Sequence, residues 1–152
     1  MAQVEQALFT VGVFQDLSWA ERGIGALKQQ GFSADVMTVM AKATPETAAF
    51  IERMLGGAAE PWELPAIGPT AARGSLVQLL DGDRKDLTRV GIAAAIRRAG
   101  FQPHDGLIYE TLTGKGGVLV AVEGAPRAAD ALAVMQSYGG GNAAIGAWSG
   151  RV

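Results

Sequence analysis

The chain contains no cysteine. That absence removes disulfides, thiolate nucleophiles and thiolate metal sites together. There is one histidine, His104, too few for an all-protein zinc or haem site, so no metal and no cofactor is expected. Charge of either sign is in short supply: 13 Lys and Arg stand against 15 Asp and Glu, and the basic residues are scattered. No footprint for nucleic acid stands out. No run approaches the ~20 apolar residues of a membrane-crossing helix. The opening MAQVEQALF lacks the basic-then-apolar layout of a secretory leader. These absences point to a cytoplasmic protein.

What is present fits one domain, 1–152, long enough to bury a core without staples. Glycine is abundant, at 21 residues. Gly23, Gly25 and Gly91 fall inside predicted helices, where they cost stability unless packing needs them.

The stretch 7–41 reads as a β-α-β unit. ALFTVGVF is a strand rich in β-branched and aromatic residues. DLSWAERGIGALKQQ is a helix with Asp16 or Ser18 as N-cap and Leu17, Ala20, Ile24 and Leu27 as its apolar stripe. Gly31-Phe32 suits a Schellman close, and ADVMTVMA is the second strand. The grammar returns over 117–148: GVLVAVE as a strand, APRAADALAVMQSY as a helix opened by Pro126 and closed by Gly139–Gly141, and NAAIGAW as a last strand. Two such units predict an α+β, ferredoxin-like sandwich of four antiparallel strands with the first and third strands central. Between them, 42–116 reads as a helical and linker insertion. TPETAAFIERMLGG is a helix capped by Thr44, and RKDLTRVGIAAAIRRAGF is another, closed by Gly100-Phe101. Pro61, Pro65 and Pro69 make the segment between them an extended linker.

Both faces of the predicted sheet are apolar. Phe9, Val11 and Val13 lie on one side of the first strand, and the third strand adds Val118, Val120 and Val122. Each buried side chain of this kind is worth roughly 1.5–3 kcal/mol, too much to leave in water. Either the helices of the insertion or a second copy of the protein covers the second face. Phe9, Val11, Val13, Val120 and Trp62, the last in the proline-rich segment, are the interface candidates.

Several stretches invite a chemical reading. Gly114-Lys115-Gly116-Gly117 has the composition of a phosphate loop, but it follows a helix and opens a strand, the reverse of the order such loops require. It reads as a helix stop. DGDRKD, Asp81 to Asp86, lacks the glycine and closing glutamate of a calcium loop and reads as a turn, with Asp83 or Asp86 capping the next helix. His104 next to Asp105 has the make-up of an oriented base, yet no nucleophile pattern accompanies it. With Tyr109, Glu110 and Lys115, His104 completes the candidate ligand set.

Two stretches carry a family resemblance. FTVGVFQDLSWAERGIGALKQQGFSADVMTVMA and AGFQPHDGLIYETLTGKGGVLVAVEG, the latter with Tyr109-Glu110 and the run from Gly116 to Val122, resemble the small bacterial domain of heat-induced and general stress proteins. With the last helix and strand, the likeness covers about two thirds of the chain. The chain departs from that family in its middle, where EPWELPAIGPTAARGSLVQLLDGD stands in place of a longer glycine- and alanine-rich apolar segment. The resemblance implies a stress-linked role and brings no catalytic residues.

Three functional readings follow. The first is a non-enzymatic protein that self-associates, as a dimer or larger homo-oligomer, or binds a protein partner. The second is a small-ligand binder or enzyme with a pocket between sheet and insertion. The third is peripheral membrane association through the 84–100 helix, whose Arg84, Lys85, Arg89, Arg97 and Arg98 flank an apolar centre.

Overall fold

The computed structural model describes residues 9–65, 67–82, 85–98, 103–124, 127–138 and 149–151. The element order is β1 (Phe9–Phe14), α1 (Leu17–Gln29), a 3-10 turn (Ala34–Val36), β2 (Met37–Lys42), α2 (Pro45–Leu55), β3 (Glu60–Leu64), β4 (Gly68–Arg73), α3 (Ser75–Asp81), α4 (Asp86–Arg98), α5 (Pro103–Gly114), β5 (Val118–Glu123), α6 (Ala128–Ser137) and β6 (Ser149–Arg151). The fold is α+β. Strands β1 to β5 form an antiparallel sheet in the order β3-β4-β2-β5-β1, and the three-residue β6 adds at the far edge of β1.

This order is longer than the four strands expected. The difference lies in the segment read as a linker, which is a hairpin, β3–β4, laid against β2. Prolines break a helix, but in a hairpin their effect depends on where the missing N–H faces. In an antiparallel pair, only alternate residues aim their backbone groups at a given neighbour. The Pro69 carbonyl accepts from the Ala43 N–H at 3.0 Å, so the polar groups of Pro69 face β2 and away from β3. By alternation along the register, Pro61, opposite Ala71, directs its missing N–H to the outer edge of β3. Neither proline costs the hairpin a bond.

The two cores answer the question of the second sheet face. On one side, Phe14, Val39, Val118, Val120 and Val122 pack against Ile24 and Leu27 of α1, Phe50 and Ile51 of α2, and Met135 of α6. On the other, Phe9, Val11, Val13, Leu119 and Ala121 pack against Leu76 and Leu80 of α3, Leu87, Ile92 and Ala95 of α4, and Tyr109 of α5. The insertion covers the second face. Leu87, Ile92 and Ala95 of α4 therefore point into the protein. No helix of the described residues is long and apolar enough to cross a membrane.

Local chemistry agrees with the sequence at most helix ends. Asp16 caps α1 by accepting from the Trp19 N–H at 3.0 Å, and Thr44 caps α2 by accepting from the Thr47 N–H at 2.9 Å. Helix α1 ends in a Schellman motif: the Phe32 N–H reaches the Leu27 carbonyl at 3.1 Å and the Gly31 N–H reaches that of Lys28 at 3.0 Å. Gly23, costly in a helix, lets α1 close on β1: a Cβ there would come within 2.6 Å of the Phe14 ring. The cap of α4 differs from the expectation. Asp81, at the end of α3, accepts from the Thr88 N–H at 3.3 Å, while Asp86 sits inside α4 and pairs with Arg89 at 2.8 Å. Asp83, Arg84, Gly100-Phe101, Pro126, Gly139–Gly141, the strand expected over Asn142–Trp148 and Trp148 itself lie outside the described residues.

The outer edge of β3 is thus protected by one absent donor and by the exposed Glu63 beside it. Replacing both, in a Pro61→Val/Glu63→Val variant, restores an outward N–H and removes the charge. Light scattering after size exclusion is expected to show this variant more self-associated than the parent at equal concentration.

Candidate functional site

A cleft of about 260 Å³ opens at the end of the sheet where β4 hands over to α3. Its wall is made by Ala34 and Asp35 of the 3-10 turn, Met37, Leu55, Glu60, and the run Arg73-Gly74-Ser75 with Gln78. Six separate elements meet there, and the geometry of one glycine allows it. Gly74 adopts φ +136°, and a Cβ on it would fall 2.5 Å from the Thr38 Cα and 2.3 Å from the Thr38 Oγ1. The chain crosses that close to β2 and turns at once onto the second face. The Thr38 hydroxyl then accepts from the Leu76 N–H at 3.1 Å, fixing the first turn of α3.

Arg73, the last residue of β4, is half-buried. One guanidinium nitrogen donates to the Ala58 carbonyl at 3.1 Å, and the group lies flat against Gly57, where a Cβ would come within 2.3 Å of its carbon. Among the described residues, no carboxylate forms an ion pair with it. The cleft wall also carries Glu60, which accepts from the Gln78 amide at 3.5 Å, and the exposed Asp35. The Ser75 hydroxyl donates to Glu123 Oε1 at 2.9 Å. The cleft therefore offers one oriented cation, two carboxylates, an amide and a hydroxyl.

Two other grooves are less suited to recognition of a polar molecule. One, of about 400 Å³, runs between α2 and the hairpin and is walled mostly by apolar groups, Ala43, Pro45, Ala48, Ala59, Pro61 and Ala71, beside Thr44, Glu60 and Thr70. The other, of about 490 Å³, lies at the starts of α1 and α2 beside Lys42. There the Asp16 carboxylate and the Thr44 hydroxyl are already committed to capping.

The three members of the expected ligand set whose side chains are described, Tyr109, Glu110 and Lys115, stand in three different surroundings. His104 is the second residue of α5 and Lys115 follows its last, so about 16 Å of helix axis separates them. The side chain of His104 lies outside the described residues. Tyr109 is fully buried in the second core. Glu110 serves α4. At Gly91 that helix breaks, with φ 91° and ψ 177°, and the carboxylate of Glu110 enters the gap: its Oε2 accepts from the Ala93 N–H at 3.3 Å. A Cβ on Gly91 would sit 2.6 Å from the same oxygen. Gly91 is thus the start of a second helical segment whose cap comes from another helix. Lys115 stands exposed in the glycine turn. That turn is a Schellman close, with the Gly117 N–H on the Leu112 carbonyl at 3.0 Å and the Gly116 N–H on that of Thr113 at 3.1 Å.

The interface candidates divide between the two cores. Phe9, Val11 and Val13 are buried under α3–α5, and Val120 is buried on the opposite face under the other helices. Their apolar surface is satisfied within the chain. Trp62, half-buried, packs from the edge strand onto the second core. Its indole nitrogen is buried without a hydrogen-bond partner among the described residues.

The residues of the cleft were missed because no motif joins them. Only Arg73-Gly74-Ser75 gives a local signal, a glycine between a strand and a helix.

Set against protein-family models, curated proteins and solved structures, the chain matches none of them.

Removing the carboxylate of Glu110 leaves a helix start uncapped. Glu110→Ala is expected to lower stability to urea by about 0.5–2 kcal/mol, the usual range for a lost cap. Glu110→Gln keeps an acceptor oxygen and is expected to lose less. Equal losses in the two variants would remove the capping role.

Proposed function

We propose that the protein is a binding protein for a small polar ligand, held in the cleft at the β4–α3 crossover with Arg73 as its charged anchor. The observation that carries this reading is the state of Arg73. Its guanidinium is oriented by the Ala58 carbonyl and by Gly57, faces a cleft, and has no carboxylate to neutralise it among the described residues. A planar, pre-oriented guanidinium suits a carboxylate or phosphate oxygen pair. The cleft draws on different residues from the pocket that the second sequence reading expects. The reading is one of binding, and no residue is given a bond-making role. Self-association through a sheet face has lost its motive, since α3–α5 occupy the face that was to carry it.

A fold reading accompanies this proposal. Within the six-stranded order we read β2-β5-β1-β6 as a ferredoxin-like core with β1 and β5 central, β6 standing just beyond the 117–148 half. We take the β4–β3 hairpin as an extension of that core beyond β2. Support comes from the pairings of β1 with β5 and of β5 with β2.

The test is a thermal-shift series with acetate, succinate and inorganic phosphate on the parent and on Arg73→Met, which keeps the aliphatic stem. At least one anion is expected to raise the melting temperature of the parent and to leave that of the variant unmoved. Equal response in both proteins, or none in either, sinks the proposal. A second check concerns the frame of the cleft. Gly74→Ala forces a side chain into Thr38 and is expected to cost about 1–3 kcal/mol in urea unfolding.

A further inference from the structure

The cleft holds charge of both signs, and the two signs do not meet. Arg73 is spoken for by a backbone carbonyl and a glycine, and no ion pair joins it to Glu60 or Asp35. The β3–β4 register explains why. Glu60 lies opposite Ala72 and shares its face of the sheet, the one covered by α3, from which Gln78 reaches it. Arg73 follows Ala72 and therefore points to the other face, towards the turn after α2. The two side chains open into one cleft from opposite sides of the sheet end.

A ligand complementary to this arrangement carries an anion and a cation on one short frame. We infer that the cleft selects a zwitterion of amino-acid size, its carboxylate on Arg73 and its ammonium group between Glu60 and Asp35. This inference rests on the binding reading given above and adds the ligand class. Size supports it: at about 260 Å³ the cleft falls below the roughly 300–1,000 Å³ of sites for drug-sized molecules. Gln78 and Ser75 line the cleft as well; the Ser75 hydroxyl gives its proton to Glu123 and keeps a lone pair that can accept from a short polar side chain. A simple anion gains Arg73 but meets two carboxylates, whereas a simple amine meets the guanidinium.

Isothermal titration with four probes tests the class: glycine and serine as zwitterions, acetate as the anion alone, and ethylamine as the cation alone. Parent protein, Arg73→Met and Glu60→Gln are titrated side by side, with urea unfolding to confirm that each variant is folded. The expected result is that glycine or serine binds the parent at least tenfold more tightly than acetate or ethylamine. Glu60→Gln is expected to weaken the zwitterions about tenfold while leaving acetate unchanged or improved. If acetate binds as well as glycine and Glu60→Gln alters neither, the zwitterion class is overturned and Arg73 remains an anion anchor. If no probe binds the parent, or Arg73→Met binds as the parent does, the binding reading itself fails and the class with it.

Discussion

Strands β1 and β5 are apolar on both sides, and that leaves the chain no option but to build two helical layers. A strand with one polar face can leave it in water, but Phe9, Val11 and Val13 on one side and Val118, Val120 and Val122 on the other need cover. The first layer comes from α1, α2 and α6, the helices adjacent in sequence to the strands they cover. The second has to come from elsewhere, and the insertion supplies it. Its hairpin widens the sheet beyond β2, and its last three helices, α3 to α5, then return across the far side. A second subunit is not needed to keep that side dry.

This constraint also sets where glycine and side-chain caps appear. Bringing helices onto both faces requires the chain to pass from one face to the other at the sheet ends, where space is tight. Gly74 makes one such passage against Thr38, and Gly117 makes another between Val13 and the Leu112 carbonyl. Helices placed by tertiary demand rather than by local signals also take their caps from distant residues. Asp81 caps α4 across a turn, and Glu110 caps its second segment across a helix–helix contact. Both carboxylates do structural work that neighbouring residues do for α1 and α2.

Most of the fold was legible where the signal is local. The stripe Ala20, Ile24 and Leu27, the cap at Thr44 and the Schellman closes at Gly31 and Gly116 depend on residues within a few positions of each other. The hairpin was not legible because a proline's effect depends on which way its nitrogen faces, and that depends on a partner strand. The cap at Ala93 was hidden for the same reason: Glu110 is seventeen residues away along the chain. The candidate site was the least legible part. Tyr109 and Glu110 drew attention as a polar pair, yet successive helix positions point in different directions, and the two serve a core and a cap. Arg73, Glu60 and Gln78 carry no shared spacing that a sequence would reveal.

The cleft itself follows from sheet geometry. Alternation sends Ala72 to one face and Arg73 to the other, so the side chain of Glu60, opposite Ala72, is kept from Arg73 by the strand backbone. In most surface settings two opposite charges this near in sequence and register would swing together, for a gain of about 0–1 kcal/mol. Here the guanidinium is tied to the Ala58 carbonyl and seated on Gly57, and Glu60 is drawn towards α3 by Gln78. Pairing them would break those contacts for little return. The fold therefore holds a cation and an anion apart in shared solvent, and a molecule able to touch both gains two charge-assisted contacts that the protein cannot make for itself.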